Sequence, residues 1–210
     1  MSRLRVAVIV EGDGEVQAIR TLLWRIWTEL LDGEYLEIPS PPGRVSRSKL
    51  IPYNRPINKS ELQRAISLAA AKLRVGNPDE SAMILVLLDS DLAPPCQLTP
   101  ELLRVACENQ KNIDIARVLA HKEYETWFVA AAESLRKYLD FDTLPTNPEK
   151  SKSGKKWIED HFRGSKYSET VDQPSMSATM DLGVCRQNST SFDKLCRELE
   201  KRLPKKVPHE

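Results

Sequence analysis

The stretch that decides the fold is Arg3-Leu4-Arg5-Val6-Ala7-Val8-Ile9-Val10-Glu11-Gly12-Asp13-Gly14-Glu15-Val16. Residues 3–10 are β-branched and apolar without strict alternation, the pattern of a central strand covered on both faces. The period then changes. Val16, Ile19, Leu22, Leu23, Ile26 and Leu30 recur at helical spacing, which predicts a helix over 14–31 with Asp13 as its N-cap. Strand, tight turn and helix in that order open a parallel α/β sheet.

Outward from this unit the alternation repeats. A short strand is expected at 35–38, then a Pro-rich basic stretch over 39–56 that cannot be regular structure. A helix capped by Ser60 runs to Arg74, with Leu62, Ala65, Ile66, Ala69 and Leu73 inward. A second buried strand over 83–88 ends at Asp89-Ser90-Asp91 and is followed by a helix capped by Thr99 with Pro100 at its first position. A strand over 113–119 leads into Glu123-Tyr124-Glu125-Thr126-Trp127-Phe128 and a helix through 135. After Asp140 no strand is expected, only helices at 154–162, 175–185 and 192–203, with Ser191 capping the last. The fold class is therefore α/β, a parallel sheet flanked by helices over 1–140, with a helical extension over 141–210 packed on it. A chain of 210 residues suits one domain with an appendage.

Composition narrows the function. The chain is 40% hydrophobic and 29% charged, too rich in periodic apolar segments to be disordered. Its longest apolar runs fall far short of the roughly 20 residues of a membrane span. The opening run stops at Glu11 without a small-residue cleavage site, so a cytoplasmic protein is expected. Cys96, Cys107, Cys185 and Cys196 stand singly, without zinc spacing, and are expected as thiols. Thirty-one basic and 30 acidic residues nearly cancel, but between positions 41 and 74 Arg44, Arg47, Lys49, Arg55, Lys59, Arg64, Lys72 and Arg74 face only Glu61. Lys150, Lys152, Lys155 and Lys156 form a second basic stretch. Such segments suit phosphate backbones, with Arg44, Arg47, Lys49, Arg55, Lys59 and Lys156 as candidate nucleic-acid contacts; a solvated surface is the plain alternative.

In a parallel sheet ligands bind along the carboxyl edge. Three predicted strands meet acids there: Glu11, then Asp89 and Asp91, then Glu123 and Glu125, with Glu15 in the first helical turn pointing back to the same edge. Carboxylates gathered without matching arginines repel and raise one another's pKa. A divalent cation relieves that repulsion, and all-oxygen ligands favour Mg²⁺ or Mn²⁺, as one ion or two. The segment 11–15 contains G-x-G, yet position 17 is Gln and its acids would repel a pyrophosphate, so a dinucleotide loop is rejected. No P-loop is present, and His121, His161 and His209 lie too far apart to argue a catalytic set. Trp24 and Trp27, three apart on the first helix, read as core, with a partner surface as the alternative.

Val10-Glu11-Gly12-Asp13-Gly14-Glu15 and Asp89-Ser90-Asp91 resemble the strand-end Glu-Gly and D-x-D of the TOPRIM domain, the metal-binding fold of topoisomerases, bacterial primases and the overcoming-lysogenization-defect (OLD) nucleases. The likeness is nearer to small stand-alone TOPRIM-like bacterial proteins classed as a domain of unknown function. Those share an E-x-E-x-W like Glu123-Tyr124-Glu125-Thr126-Trp127, and a C-terminal region like Tyr167 through Asp172-Gln173-Pro174 to Ser191-Phe192. The resemblance implies that Glu11 is a metal ligand or general acid/base and that Asp89 and Asp91 bind Mg²⁺. It implies a second metal site with Glu15 and Glu125, joined in the strand-end reading by Glu123. It also implies a lysine near the scissile phosphate, for which Lys122, Lys155 and Lys156 are candidates, with Lys155 carried forward. The nuclease relatives act beside an ATPase of the ABC or AAA type, often in anti-phage defence, so a separately encoded partner is implied.

The leading expectation is a Mg²⁺-dependent nuclease cutting DNA or RNA. The alternative is a non-catalytic adaptor of an ATPase complex, and a third class is a phosphatase or nucleotide hydrolase. Self-association is left open.

Overall fold

The computed structural model describes residues 3–50, 58–74, 81–90, 113–150 and 153–204, without the side chain of Arg47. β1 (Arg3–Val10) is central, and every residue after Arg3 is buried. It pairs in parallel with β2 (Tyr35–Glu37) and β3 (Gly43–Arg44) along one side and with β4 (Ser81–Asp89) along the other. β4 pairs with β5 (Asp114–Ala120), again in parallel, giving the order β2-β1-β4-β5. Burial on both faces explains the unbroken apolar runs of β1 and β4.

Alternation sorts each strand between two cores. Leu4, Val6, Val8 and Val10 of β1 join Met83, Leu85 and Leu87 of β4 beneath α1 (Asp13–Arg25) and the C-terminal helices. Ala7 and Ile9 join Ile84, Val86 and Leu88 beneath α3 (Lys59–Arg74). Arg5 is buried too, because its guanidinium donates to the Leu73 carbonyl at 2.8 Å and pairs with Glu37 at 3.1 Å, closing the C-terminus of α3.

Several expectations need correction. The first helix has no side-chain cap; Gly12 is its N-cap, and after Arg25 the chain continues in π geometry over Ile26–Leu30. Trp27, in that π turn, is fully buried while Trp24 is 52% exposed, so the pair divides between core and surface. The stretch 39–56 is not devoid of regular structure: it contains β3 and the short helix α2 (Arg47–Leu50). α3 starts two residues earlier than expected, at Lys59, with Asn58 rather than Ser60 before it and Asn58 Oδ1 accepting from the Glu61 amide. The helix capped by Thr99 lies outside the described residues, as do Cys96 and Cys107.

Beyond β5 come α4 (Glu125–Ala130), a 3₁₀ turn over Ala132–Leu135 and α5 (Gly154–His161), capped by Ser153. They are followed by α6 (Glu169–Ser177), α7 (Leu182–Asn188) capped by Asp181, and α8 (Thr190–Glu200) capped by Ser189. The single helix expected at 175–185 is therefore two, with Pro174 inside the first, and Ser189 rather than Ser191 caps the last. Tyr167, Met176, Leu182, Cys185, Phe192 and Cys196 share one core with β1 and α1. Cys185 and Cys196 are buried free thiols; burial pushes both upward, Cys196 to about 12. No described helix is long and apolar enough to cross a membrane.

Candidate functional site

Parallel strands deliver their ends to one edge, and β1 and β4 are neighbours there. Glu11 follows β1 directly and Asp89 closes β4; a Glu11 carboxylate oxygen lies 3.4 Å from the Asp89 amide nitrogen and accepts from it. Ser90 extends the pairing, its amide donating to the Ala120 carbonyl, while its buried hydroxyl accepts from the Lys122 amide at 2.7 Å. That bond holds Lys122 in left-handed backbone, φ 63°, a conformation a non-glycine residue keeps only when its surroundings impose it. Asp91 lies outside the described residues.

Glu15 and Glu125 reach the same edge from below, each in the first turn of its helix and each buried. Burial raises the Glu15 pKa, and the neighbouring Glu169 charge adds to it. Glu125 is pushed up to about 7, chiefly by burial and further by Glu169, against the pull of hydrogen bonds from the Gln173 amide at 2.9 Å and the Tyr167 hydroxyl at 3.1 Å. Gly14 packs against this group: a Cβ there would fall 2.2 Å from Gln173 Oε1, so α1 and α6 meet this closely only because the position is glycine. Gln173 Oε1 is itself buried without a hydrogen-bond partner among the described residues.

Glu123, two residues before Glu125, serves differently. Its carboxylate accepts from the Ser153 hydroxyl at 2.8 Å and from the Lys155 amide at 2.8 Å, anchoring the start of α5. Gly154 in that first turn abuts Thr126, where a Cβ would sit 2.5 Å from a backbone nitrogen. The Lys155 ammonium pairs with Glu169 at 2.5 Å, which raises its pKa and places a positive charge among these acids. Lys156 points elsewhere, to Asp160 at 2.6 Å.

The whole segment 123–127 is a fastening point for the C-terminal third. Tyr124 shares a 2.9 Å hydrogen bond with Ser177, and the Trp127 indole donates to the Ser191 hydroxyl at 3.0 Å while packing edge-on against Phe192. Ser191 in turn meets Glu149, a buried carboxylate that burial alone would raise but that bonds from Thr190, Ser191 and Ser189 hold below the usual range. The family-like residues Tyr167, Gln173 and Ser191 are thus tied to the Glu-x-Glu-x-Trp segment more than 40 residues away, a relation with no local signal. Glu169 and Ser153 carried no signal at all.

Among the described residues no three acidic, histidine or cysteine side chains converge as a ready metal cage. The six acids of the sequence expectation divide into a strand-end pair, Glu11 and Asp89; a buried pair, Glu15 and Glu125; Glu123 bound to α5; and Asp91 outside the described residues. The donor set still fits a hard divalent cation. It is all oxygen, two of its carboxylates are held away from water beside a third, and an unpaired amide oxygen adjoins them.

Of the expected nucleic-acid contacts, Arg44 is exposed and pairs with Asp13 at 3.2 Å, and Lys49 and Lys59 are exposed on α2 and α3. Arg55 and the Arg47 side chain lie outside the described residues.

Fold and site together define a parallel α/β protein with acidic residues gathered at the carboxyl edge of its sheet. The chain belongs to the family described as a domain of unknown function (DUF4276), whose model matches residues 10–200. No curated protein and no solved structure matches it.

Proposed function

We propose that this protein is a TOPRIM-like, Mg²⁺- or Mn²⁺-dependent nuclease that hydrolyses phosphodiester bonds beside a separately encoded ABC- or AAA-type ATPase, in anti-phage defence. The observation that carries the reading is the gathering of acids from successive strand–helix junctions at one sheet edge, with Glu15 and Glu125 buried where a lone negative charge is unfavourable. Glu11 and Asp89, with Asp91, would hold one ion, and Glu15 and Glu125 a second. The chemistry such ions would supply there is a lowered pKa of bound water and neutralisation of a leaving oxygen. The protein's own share is positioning: Tyr167 and Gln173 orient Glu125, Glu123 fixes α5, and Lys155 keeps an ammonium beside the acids to meet a phosphate. Arg44, Lys49 and Lys59 offer backbone contacts without sequence selection.

The test is calorimetric titration of Mg²⁺ and Mn²⁺ into wild type and Asp89→Ala, with plasmid and total RNA cleavage followed in the same samples. Wild type is expected to bind metal and cut, and folded Asp89→Ala to do neither. Cutting that persists in clean Asp89→Ala protein would overturn the reading. The binding of Glu123 to α5 favours a second reading, an adaptor whose acids serve architecture. Absence of metal binding in the wild type would select it.

A further inference from the structure

A groove of about 570 Å³ runs between the outer side of α1 and the segment that joins β2 to β3. Gln17, Arg20, Thr21 and Trp24 line it from the helix at i, i+3, i+4 and i+7 and so on one face, and Pro41 and Pro42 close the opposite wall. None of its lining residues among those described is acidic. Arg20 is exposed and makes no ion pair among the described residues. Trp24 holds its indole 52% exposed on the wall, whereas the other tryptophan of this helical segment is fully buried. Across Pro42 and Gly43 a smaller cleft of about 160 Å³ carries Arg44, Arg64 and Lys72 against Glu61, and the Lys72 ammonium donates to the Pro41 carbonyl of the shared wall.

We infer that this groove binds a short run of single-stranded nucleic acid and leads it to the acidic edge, an inference that rests on the nuclease reading. A flat aromatic face beside an uncommitted guanidinium suits a base stacked on the indole with its phosphate on Arg20, while Gln17 and Thr21 supply hydrogen bonds to either. The positive surroundings select a polyanion, and a duplex keeps its base faces stacked away from any indole. α1 links the two places: Glu15 opens the helix and Trp24 follows nine residues later, about 14 Å along the axis at 1.5 Å per residue. That is the span of about four stacked nucleotides at 3.4 Å each.

The experiment is fluorescence anisotropy of a labelled oligothymidylate of about a dozen nucleotides, with full-length protein in EDTA, so that binding is read without metal or cleavage. Wild type is expected to bind it at least about tenfold more tightly than a duplex of equal length. Trp24→Ala should weaken binding by about five- to a hundredfold, with Trp24→Tyr keeping most of it. Arg20→Ala should lower the slope of log affinity on log salt by about one. Both side chains are exposed, so unchanged melting temperatures accompany these losses. Wild-type affinity in Trp24→Ala, equal binding of the duplex, or no binding of the oligonucleotide overturns the inference. A poly-glutamate peptide that binds in place of the oligonucleotide, and is lost in Trp24→Ala, also overturns it and gives the groove to a protein partner. Trp24-dependent binding in a protein that never cuts upholds the groove while the nuclease reading fails. Cleavage undiminished by Trp24→Ala does the reverse.

Discussion

The two faces of the sheet receive alternate residues of the same strands and bury them under different material. On the α3 side Ala7, Ile9, Ile84, Val86 and Leu88 meet Leu62, Ile66, Ala69 and Leu73, and the buried guanidinium of Arg5 sits at the end of the helix it closes. On the α1 side Val6, Val8, Met83 and Leu85 lie beneath helices that also bury Glu15, Tyr124, Glu125, Tyr167, Gln173 and Ser177. The first face is held by area removed from water, which is non-directional and tolerant of swaps. The second depends on each buried polar group keeping its partner, which demands specific residues far apart in the chain. Specificity of that kind goes beyond what a core needs, and under the proposed function this is the face that would carry the chemistry.

Replacement of one residue on each face sharpens the contrast most. Trp127→Ala is expected to cost about 3–5 kcal/mol in a denaturant titration, and Trp127→Phe still to lose about 1–3 kcal/mol because the Ser191 hydroxyl forfeits its indole donor. On the dry face Ile66→Val should cost only about 0.5–1.5 kcal/mol. Equal tolerance of the two apolar swaps would erase the distinction.

A smaller effect is expected from Gln173→Leu, which keeps the volume but takes a donor from Glu125. Stability at pH 8 should fall by about 1–3 kcal/mol, and NMR titration of Glu125 should show its pKa moved further up. An unmoved Glu125 would mean that Gln173 merely fills space.

The smallest effects are in pH dependence, where two glutamates of the C-terminal assembly oppose each other. Glu125 titrates higher in the fold than in the unfolded chain, so its contribution is present at acid pH and is lost as pH rises through about 7. Without divalent ions, melting temperature should decline between about pH 5 and 8, and Glu125→Gln should flatten that decline. Glu198 is held down to about 2 by Lys201, Arg202 and Lys194 against the upward push of burial. Its contribution is present above the ordinary carboxylate range and is lost as pH falls toward 2, so Glu198→Gln should lower the melting temperature at pH 7 and not at pH 2.

Legibility in the sequence followed the same division. The runs 3–10 and 83–88 read correctly because two-sided burial leaves a continuous apolar string, and α3 because its inward residues repeat at helical spacing. The π turn at Ile26–Leu30 was hidden, since Ile26 and Leu30 suit an ordinary helix equally well. β3 and α2 were hidden because prolines around them signal only irregular chain. In the site, acids at strand ends were visible by position, but Glu123 and Glu125 share one sequence pattern and have different surroundings. What separates them is Ser153 and Lys155 on one side and Tyr167 and Gln173 on the other, contacts that only the folded chain makes. The helix expected from residue 175 begins six residues earlier, at Glu169, after Ser168, whose amide donates to Asp172.

The central place of β1 also dictates an order of events during synthesis. This strand leaves the ribosome well before β4, and Leu4 takes its partner there only at Ser81, more than seventy residues later. At about 5–20 residues per second the nascent chain waits roughly four to fifteen seconds with an apolar edge exposed. The Trp127 indole waits longer still for Ser191. Closure of the acid-bearing face therefore waits until Ser191 has been made, which makes the newborn chain a natural client for chaperones and keeps its acidic edge unassembled until then.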